Sequence, residues 1–194
     1  MSTKINWEPY LDVELGKITV TLPLITTETG FRFYSFNMMG QAEWNRVAGQ
    51  ALYERLAASS LPFDYIITPE AKAIGLAEEV ARLMEHTHYT VLRKSRKLYM
   101  KDALQVSVKS VTTDKPQLLF LDPEDARLLK GKTVCLLDDV LSTGGTVDAV
   151  QQMAEAAGFT ISAICCALTE GSDIQEYKGI PITKLNHIPL PGMN

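Results

Sequence analysis

Residues 134–146 read Val-Cys-Leu-Leu-Asp-Asp-Val-Leu-Ser-Thr-Gly-Gly-Thr, and this stretch decides the fold. It begins with an apolar run, which is typical of a strand covered on both faces of a sheet. Two adjacent carboxylates, Asp138 and Asp139, follow where the run is expected to end. The remaining residues are small, hydroxyl-bearing or glycine, and they lead into a helix predicted over residues 145–157. We therefore expect a strand, an acid pair and a glycine-rich turn that opens a helix.

The residue types in this turn are those that bind a phosphate. Glycines let backbone N–H groups approach an anion, and the start of a helix directs unpaired N–H groups and a positive dipole end at it. The candidate phosphate-binding residues are Ser142, Thr143, Gly144, Gly145 and Thr146. Since carboxylates repel a phosphate, Asp138 and Asp139 would serve ribose hydroxyls, directly or through Mg²⁺. Together these groups suit a 5-phosphoribosyl ligand, and the alternative is a strand–helix joint that is merely rich in glycine.

The wider pattern predicts an α/β fold. Apolar runs predict strands over residues 64–68, 88–93, 133–137 and 159–167, and helical periodicity predicts helices over 73–85, 124–130 and 145–157. Strands that alternate with helices through short joints indicate a parallel sheet flanked by helices. Ligands of such sheets bind beyond the carboxyl ends of the strands, which is where the acid pair is expected.

Three regions depart from this alternation. Strands over 104–108 and 117–121, joined by 109–116, predict a long hairpin that projects from the sheet. The N-terminal region has strand-like stretches at 17–22 and 31–36 and a helix near 41–58. The tail after Gly171 is rich in turn residues and short apolar pairs. We expect a single domain over 1–194, in which residues 1–40 and 171–194 form a cap.

Residues 134–146 resemble the phosphoribosyl pyrophosphate (PRPP) signature of type I phosphoribosyltransferases. Residues 31–169 are similar to the adenine phosphoribosyltransferase branch, with some likeness to xanthine phosphoribosyltransferases. The resemblance implies a parallel sheet with a mobile hairpin and a small base-binding hood, catalysis at Asp138 and Asp139, Mg²⁺ as cofactor and a homodimer. It also implies transfer of ribose 5-phosphate from PRPP to a purine base in purine salvage.

Two further segments resemble the pyrophosphate-binding elements of that family. One holds Glu70, Ala71 and Lys72 at the start of a helix, in a loop where family members often have a cis peptide bond that is not at proline. The other is a basic stretch with Arg93, Lys94 and Lys97, whose charges would offset those of PRPP. The alternative for both segments is a set of solvated surface cations.

The segment 30–37 can be laid over the family's base-binding hood. Phe33 and Phe36 would stack on a heterocycle and Asn37 would bind a ring edge, although aromatics at period two also form the inner face of a strand. The predicted hairpin tip lacks the glutamate that adenine-specific members usually carry, and Asp114 is the acid that could substitute for it. A purine base, with adenine first, is favoured because the resemblance to the adenine branch extends through the pyrophosphate loop, the basic stretch and the hairpin. Xanthine, guanine, hypoxanthine and orotate stay open, as does a PRPP- or nucleotide-sensing regulator without catalysis. Lys184 is a further candidate for contact with a 6-oxopurine.

Composition narrows the class of protein. The 194 residues include 19 Lys and Arg against 23 Asp and Glu, a net charge of −4 that predicts neither nucleic-acid nor membrane binding. Cys135, Cys165 and Cys166 lie in apolar runs without metal-ligand spacing, which predicts buried free thiols in a reducing compartment. The first residues lack the apolar stretch of a signal peptide. A cytoplasmic location is expected.

Overall fold

A computed structural model describes residues 7–108 and 117–193 of the chain. Its strands are β1 (Tyr10–Leu15), β2 (Ile18–Thr26), β3 (Phe31–Tyr34), β4 (Tyr65–Pro69), β5 (Thr90–Leu92), β6 (Leu104–Val108), β7 (Gln117–Leu121), β8 (Thr133–Leu141), β9 (Thr160–Glu170), β10 (Glu176–Tyr177), β11 (Ile180–Ile188) and β12 (Gly192–Met193). Its helices are α1 (Ala42–Ser59), α2 (Ile74–Leu83), α3 (Pro123–Leu129) and α4 (Gly145–Ala157).

The central sheet has the order β10-β11-β9-β8-β4-β5. All of its neighbouring pairs are parallel except β10 with β11, which confirms the predicted fold class. The carboxyl ends of β4, β8 and β9 therefore meet at one edge. The prediction that β8 ends before the acid pair was wrong, because Val140 and Leu141 continue to pair with Leu168 and Thr169 of β9. Asp138 and Asp139 thus lie within a strand.

Each face of the central sheet has its own hydrophobic core. Leu137 of β8 packs with Leu52 of α1, Leu76 of α2 and residues of the N-terminal strands. Leu136 packs on the other face with residues of α3, α4, β6 and β7. Successive side chains of a strand point to opposite faces, so these two adjacent leucines belong to different cores. Burying each side chain stabilises the fold by about 1.5–3 kcal/mol.

A second, antiparallel sheet has the order β1-β2-β3-β12. It contains the N-terminal region that was expected to cap the domain. The tail was expected to join that cap entirely, and this was wrong for residues 180–188, which form β11 beside β9 in the central sheet. Ile180, Ile182 and Ile188 are buried, but five consecutive half-buried residues separate Ile182 from Ile188, so the buried pattern of β11 is weaker than that of β8.

The hairpin strands β6 and β7 have the predicted bounds and pair in antiparallel register. Phe120 of β7 also bridges Arg93 through two backbone hydrogen bonds. The connection 109–116, including Asp114, lies outside the described residues, so its mobility and role stay predictions. The three cysteines are buried and free, as predicted. None of the helices described has both the length and the hydropathy required to span a bilayer.

Candidate functional site

A continuous cleft lies over the carboxyl ends of β4, β8 and β9. It consists of two adjoining pockets, which share Val108, Gln117, Asp138 and Thr146. The first pocket also contains all five candidate phosphate-binding residues, Ser142, Thr143, Gly144, Gly145 and Thr146. The second contains Glu70, Ala71, Lys72, Lys94 and Asp139. The fold thus brings together two segments that are far apart in the sequence.

The first pocket is built on the connection between β8 and α4. Gly144 has φ of 82°, a left-handed backbone conformation that glycine adopts readily, and α4 begins at the next residue. The chain thereby turns sharply from the strand into the helix, and the first N–H groups of α4 have no partner within the helix. Hydroxyl groups of Ser142, Thr143 and Thr146 lie in the same pocket. This arrangement can bind a phosphate group.

The acid pair separates the two pockets. Since successive residues of β8 face opposite sides, Asp138 lies towards α4 and Asp139 towards Lys72, and the Asp139 N–H donates to Asp138 Oδ1 at 2.9 Å. Burial, followed by the charge of Asp139, raises the pKa of Asp138 well above its usual value. Asp139 is 8% exposed, and its Oδ2 accepts no hydrogen bond from the residues that the structure describes. A ligand hydroxyl or a metal-bound water would satisfy that oxygen.

Lys72 connects the second pocket to the acid pair. Its Nζ lies 3.6 Å from Asp139 Oδ2 and donates to the carbonyl oxygen of Phe36 at 3.2 Å. The preceding Glu70–Ala71 peptide bond is cis, as the resemblance implied for this loop. Lys72 is about half exposed, so its ammonium group is available to an anion in the cleft.

The Glu70 side chain connects two segments of the site. Its Oε2 accepts from the Lys94 N–H at 2.8 Å, and its Oε1 lies 3.4 Å from the Arg93 guanidinium group. The carboxylate therefore holds the segment after β5 against the β4–α2 loop, and pyrophosphate binding by the Glu70 segment stays a prediction. Physically, a carboxylate next to a pyrophosphate would be repelled, whereas two cationic or N–H donors stabilise it.

The three predicted cations occupy different positions. Lys94 lines the second pocket, and Arg93 pairs with Glu70 at the edge of that pocket. Lys97 donates to Ser95 Oγ at 3.0 Å and is not among the residues that line the two pockets within the described chain. Only Lys94 among the three is thus placed in the cleft itself.

The predicted base-binding residues Phe33, Phe36 and Asn37 are not among the described residues that line the two pockets. Phe36 is 4% exposed and its ring stacks on Trp44 with the centroids 5.8 Å apart, so the expected stacking of Phe36 on a base is corrected. Its aromatic character serves the core, while its carbonyl group accepts from Lys72. Phe33 is half-buried on β3, and Asn37 is exposed with its Oδ1 accepting from the Met39 N–H. Base contact by Phe33 and Asn37 stays a prediction.

Sequence reasoning missed Glu170, which lines the first pocket from the end of β9. Burial raises the pKa of its carboxyl group. The predicted strand stopped at Ala167, and a strand drawn to its carboxyl end would have placed Glu170 at the same edge as Asp138. Lys184 does not line either pocket of the described chain, since its Nζ bonds to Asp173 and to the Ile174 carbonyl group.

Comparison with known proteins agrees with this geometry. Residues 44–186 match the phosphoribosyl transferase domain family. The hypoxanthine/guanine phosphoribosyltransferase of Methanothermococcus okinawensis is 32% identical over 120 residues, 62% of this chain and 61% of that protein. The adenine phosphoribosyltransferase of Pseudothermotoga lettingae is 29% identical over 124 residues, 62% of this chain and 69% of that protein. The chain thus spans somewhat less than two thirds of the first relative and slightly more of the second.

Solved structures show the same fold. The adenine phosphoribosyltransferase of Thermoanaerobacter pseudethanolicus superposes with a TM-score of 0.66 at 21% identity, over 86% of this chain and 95% of that one. The Giardia lamblia enzyme complexed with 9-deazaadenine gives 0.65 at 21% identity, over 86% and 93%. The family match covers most of the chain and includes the acid pair and both loops. The chain therefore belongs to the phosphoribosyl transferase domain family and has the fold of its adenine phosphoribosyltransferase members.

Proposed function

We propose that the protein transfers ribose 5-phosphate from PRPP to a purine base, with adenine favoured, and releases pyrophosphate. One observation carries the proposal: the buried acid pair lies between a glycine-rich phosphate loop and a lysine-bearing loop, in one cleft. PRPP carries a 5-phosphate, a ribose diol and a pyrophosphate in that linear order. In the same order, the cleft offers the N–H and hydroxyl donors of residues 142–146, the carboxylates of Asp138 and Asp139, and the donors of the Lys72 loop.

Each part of the cleft has a proposed task. Backbone N–H groups and hydroxyls of residues 142–146 bind the 5-phosphate, and Asp138 and Asp139 hold the ribose hydroxyls. The Ala71 and Lys72 segment holds pyrophosphate, with Lys94 beside it and Arg93 and Lys97 supplying charge nearby. Negative charge grows on pyrophosphate as its bond to the sugar breaks, and these donors stabilise that charge. The carboxylates orient the sugar while a ring nitrogen of the base attacks the opposite face, which gives a nucleoside monophosphate.

The residues present fit a magnesium ion that PRPP brings with it. Mg²⁺ is bound in proteins by one or two carboxylates together with substrate phosphates and waters, and here Asp138 and Asp139 would supply the carboxylates. Asp139 Oδ2, which lies 3.6 Å from Lys72 Nζ and accepts no hydrogen bond from the described residues, supports this assignment. Within residues 7–108 and 117–193, no cluster of three or more His, Cys, Asp or Glu could hold a metal without such a substrate. When bound, Mg²⁺ would neutralise charge on the departing pyrophosphate.

The identity of the base rests on weaker support. The family resemblance of residues 31–169 favours adenine, whereas relatives named for adenine and for hypoxanthine and guanine are similar to this chain at 29% and 32% identity. Asn37 is the exposed polar side chain nearest in sequence to the Lys72-bound carbonyl of Phe36, which supports its proposed role at a ring edge. The same resemblance supports a homodimer, and the three buried free cysteines support a reducing compartment such as the cytoplasm.

The test is pyrophosphate release from PRPP and Mg²⁺, with adenine, guanine, hypoxanthine, xanthine and orotate supplied separately. Wild type is compared with an Asp138→Asn, Asp139→Asn double variant. A matched control, Glu78→Gln with Glu79→Gln, changes two adjacent acids of α2 outside the cleft. We expect release with adenine or another purine, a loss of at least about 100-fold in the aspartate variant, and wild-type rates in the control.

Two outcomes would contradict the proposal. Release with orotate alone would overturn the purine assignment. Measurable binding of PRPP or a nucleotide with no release for any base would show a sensor that keeps the fold without the chemistry.

A further inference from the structure

The short strand β10 contacts the proposed phosphate loop on the side that faces away from the two pockets. Tyr177, its second residue, packs its ring against Gly144 so closely that a Cβ atom on Gly144 would overlap the ring carbons. Gly144 also has φ of 82°, so two independent constraints require glycine there. Tyr177 is half-buried and does not line either pocket in the part of the chain that the structure describes. Its ring therefore lies behind the loop and leaves the anion side open.

Polar contacts fix the same ring to helix α4. The Tyr177 hydroxyl donates to Asp148 Oδ1 at 3.1 Å, and Lys178 Nζ donates to the same oxygen at 2.7 Å. Asp148 lies in the first turn of α4, directly after the phosphate loop. The Lys178 ammonium group also lies 5.5 Å from the centre of the Tyr177 ring. The Tyr177 side chain thus contacts both Gly144, the N-cap residue of α4, and Asp148 in the first turn of that helix.

The Lys178–Asp148 ion pair and the packing of the Tyr177 ring differ in how much each is expected to stabilise the loop. Lys178 and Asp148 are 55% and 39% exposed, and exposed ion pairs contribute between nothing and about 1 kcal/mol. An aromatic ring packed on the backbone has no such solvent screening, and its removal leaves Gly144 free to sample other conformations. The ring is therefore expected to outweigh the ion pair in holding the loop.

We propose that Tyr177 is a positioning residue, which holds Gly144 and the first turn of α4 in the conformation that binds the 5-phosphate of PRPP. The inference rests on the proposed function, because it assigns the 5-phosphate to this loop. It predicts a selective effect. Loss of the ring weakens binding of ligands through their 5-phosphate. Affinity for the base and the chemical step are affected little, because Tyr177 contacts Gly144 and Asp148 and lines neither pocket of the described chain.

The experiment compares Tyr177→Ala, Tyr177→Leu and Tyr177→Phe with wild type and with Tyr10→Ala. Tyr10 is exposed on the edge strand β1, so its variant controls for loss of a tyrosine as such. Ribose 5-phosphate binding is measured by calorimetry, and KM for PRPP, KM for the base and kcat are measured by pyrophosphate release. Thermal unfolding midpoints identify variants that fail to fold.

We expect Tyr177→Ala to raise both the ribose 5-phosphate Kd and the PRPP KM roughly tenfold, with KM for the base and kcat within about twofold of wild type. Tyr177→Phe keeps the ring and is expected to restore values within about threefold of wild type. If Tyr177→Ala does not fold, Tyr177→Leu decides the question, because it fills the space without a planar ring.

The outcomes that overturn the inference differ from those that overturn the function. Wild-type Kd and KM in a folded Tyr177→Ala or Tyr177→Leu protein would overturn the inference alone. A uniform fall in kcat and in affinity for the base would also overturn it, since that pattern indicates general destabilisation. Absence of both ribose 5-phosphate binding and pyrophosphate release in wild type would overturn the proposed function, and the inference with it.

Discussion

The two loops of the cleft are both strand-to-helix connections at the same sheet edge, yet they are stabilised differently. The β8–α4 connection has residue types that suit its conformation, with glycine at the left-handed position and hydroxyls beside it, and Tyr177 of β10 packs on that glycine. The β4–α2 connection has no glycine before α2 begins, and it is held by Glu70 and Lys72 through contacts with distant segments. The first loop can be identified from its residue types alone, whereas the second was identified only through its resemblance to the family, because its residue types do not show the tertiary contacts that hold it.

The largest effect is expected from a substitution in the β8–α4 connection. Gly144→Ala should lower kcat/KM for PRPP by at least about 100-fold, because the new Cβ combines an unfavourable φ with overlap on Tyr177. Steady-state kinetics with varied PRPP checks this. Gly131→Ala is the matched control, since Gly131 also has positive φ but a Cβ there meets no atom within 4 Å. Equal kinetic losses in both variants would contradict the assignment of the loop.

A smaller effect is expected in the loop held by tertiary contacts. Glu70→Ala removes the acceptor of the Lys94 N–H and the partner of Arg93, so KM for PRPP should rise about tenfold. Glu70→Gln keeps an oxygen acceptor and should lose less. The control is Glu124→Ala, which breaks an exposed pair with Arg127 on α3. Wild-type KM values in Glu70→Ala would show that the contacts of Glu70 with Arg93 and Lys94 are not needed for PRPP binding.

The smallest effect concerns stability and tests the cost of burying an acid in β8. Because burial raises the pKa of Asp138, the folded protein keeps that proton to higher pH than the unfolded chain does. The free energy of unfolding should therefore fall as pH rises from about 4 through the raised pKa. Asp138→Asn cannot lose a proton, so at pH 8 it should be more stable than wild type by roughly 1 kcal/mol.

Urea unfolding of both proteins at pH 5 and pH 8 measures this difference. Titrating groups remote from Asp138 are shared by both proteins and cancel in the comparison, which therefore reports on Asp138 together with its neighbour Asp139. A stability difference that does not grow between pH 5 and pH 8 would contradict the raised pKa.

The sequence predicted most of the central sheet, and the errors have physical causes. Apolar runs such as residues 134–137 are unambiguous when both faces of the strand are covered, so β4, β8 and β9 were located. Strand ends were placed too early because charged or polar residues interrupt the run, although the strands continue to Leu141 and Glu170. β11 was missed because only three of its residues are buried and a run of half-buried residues, several of them polar, separates Ile182 from Ile188.

The candidate site also contains parts that the sequence predicted and parts that it did not. The proposed phosphate loop and acid pair were selected from residue types alone, because the chemistry proposed for them is local, and the structure places both in one cleft. The contacts of Glu70 with Arg93 and Lys94 were not predicted, because they depend on β4 and β5 being neighbours in the sheet. Phe36 was assigned to a base because sequence cannot distinguish a ring that faces a ligand from one stacked on Trp44.

The most direct test of the proposed function is a crystal structure of the protein with PRPP and Mg²⁺, without a base. We expect the 5-phosphate on the backbone N–H groups of residues 142–146, the ribose hydroxyls within hydrogen-bond distance of Asp138 and Asp139, and pyrophosphate beside Ala71 and Lys72. PRPP bound in the reverse direction, or bound away from the acid pair, would contradict the proposal.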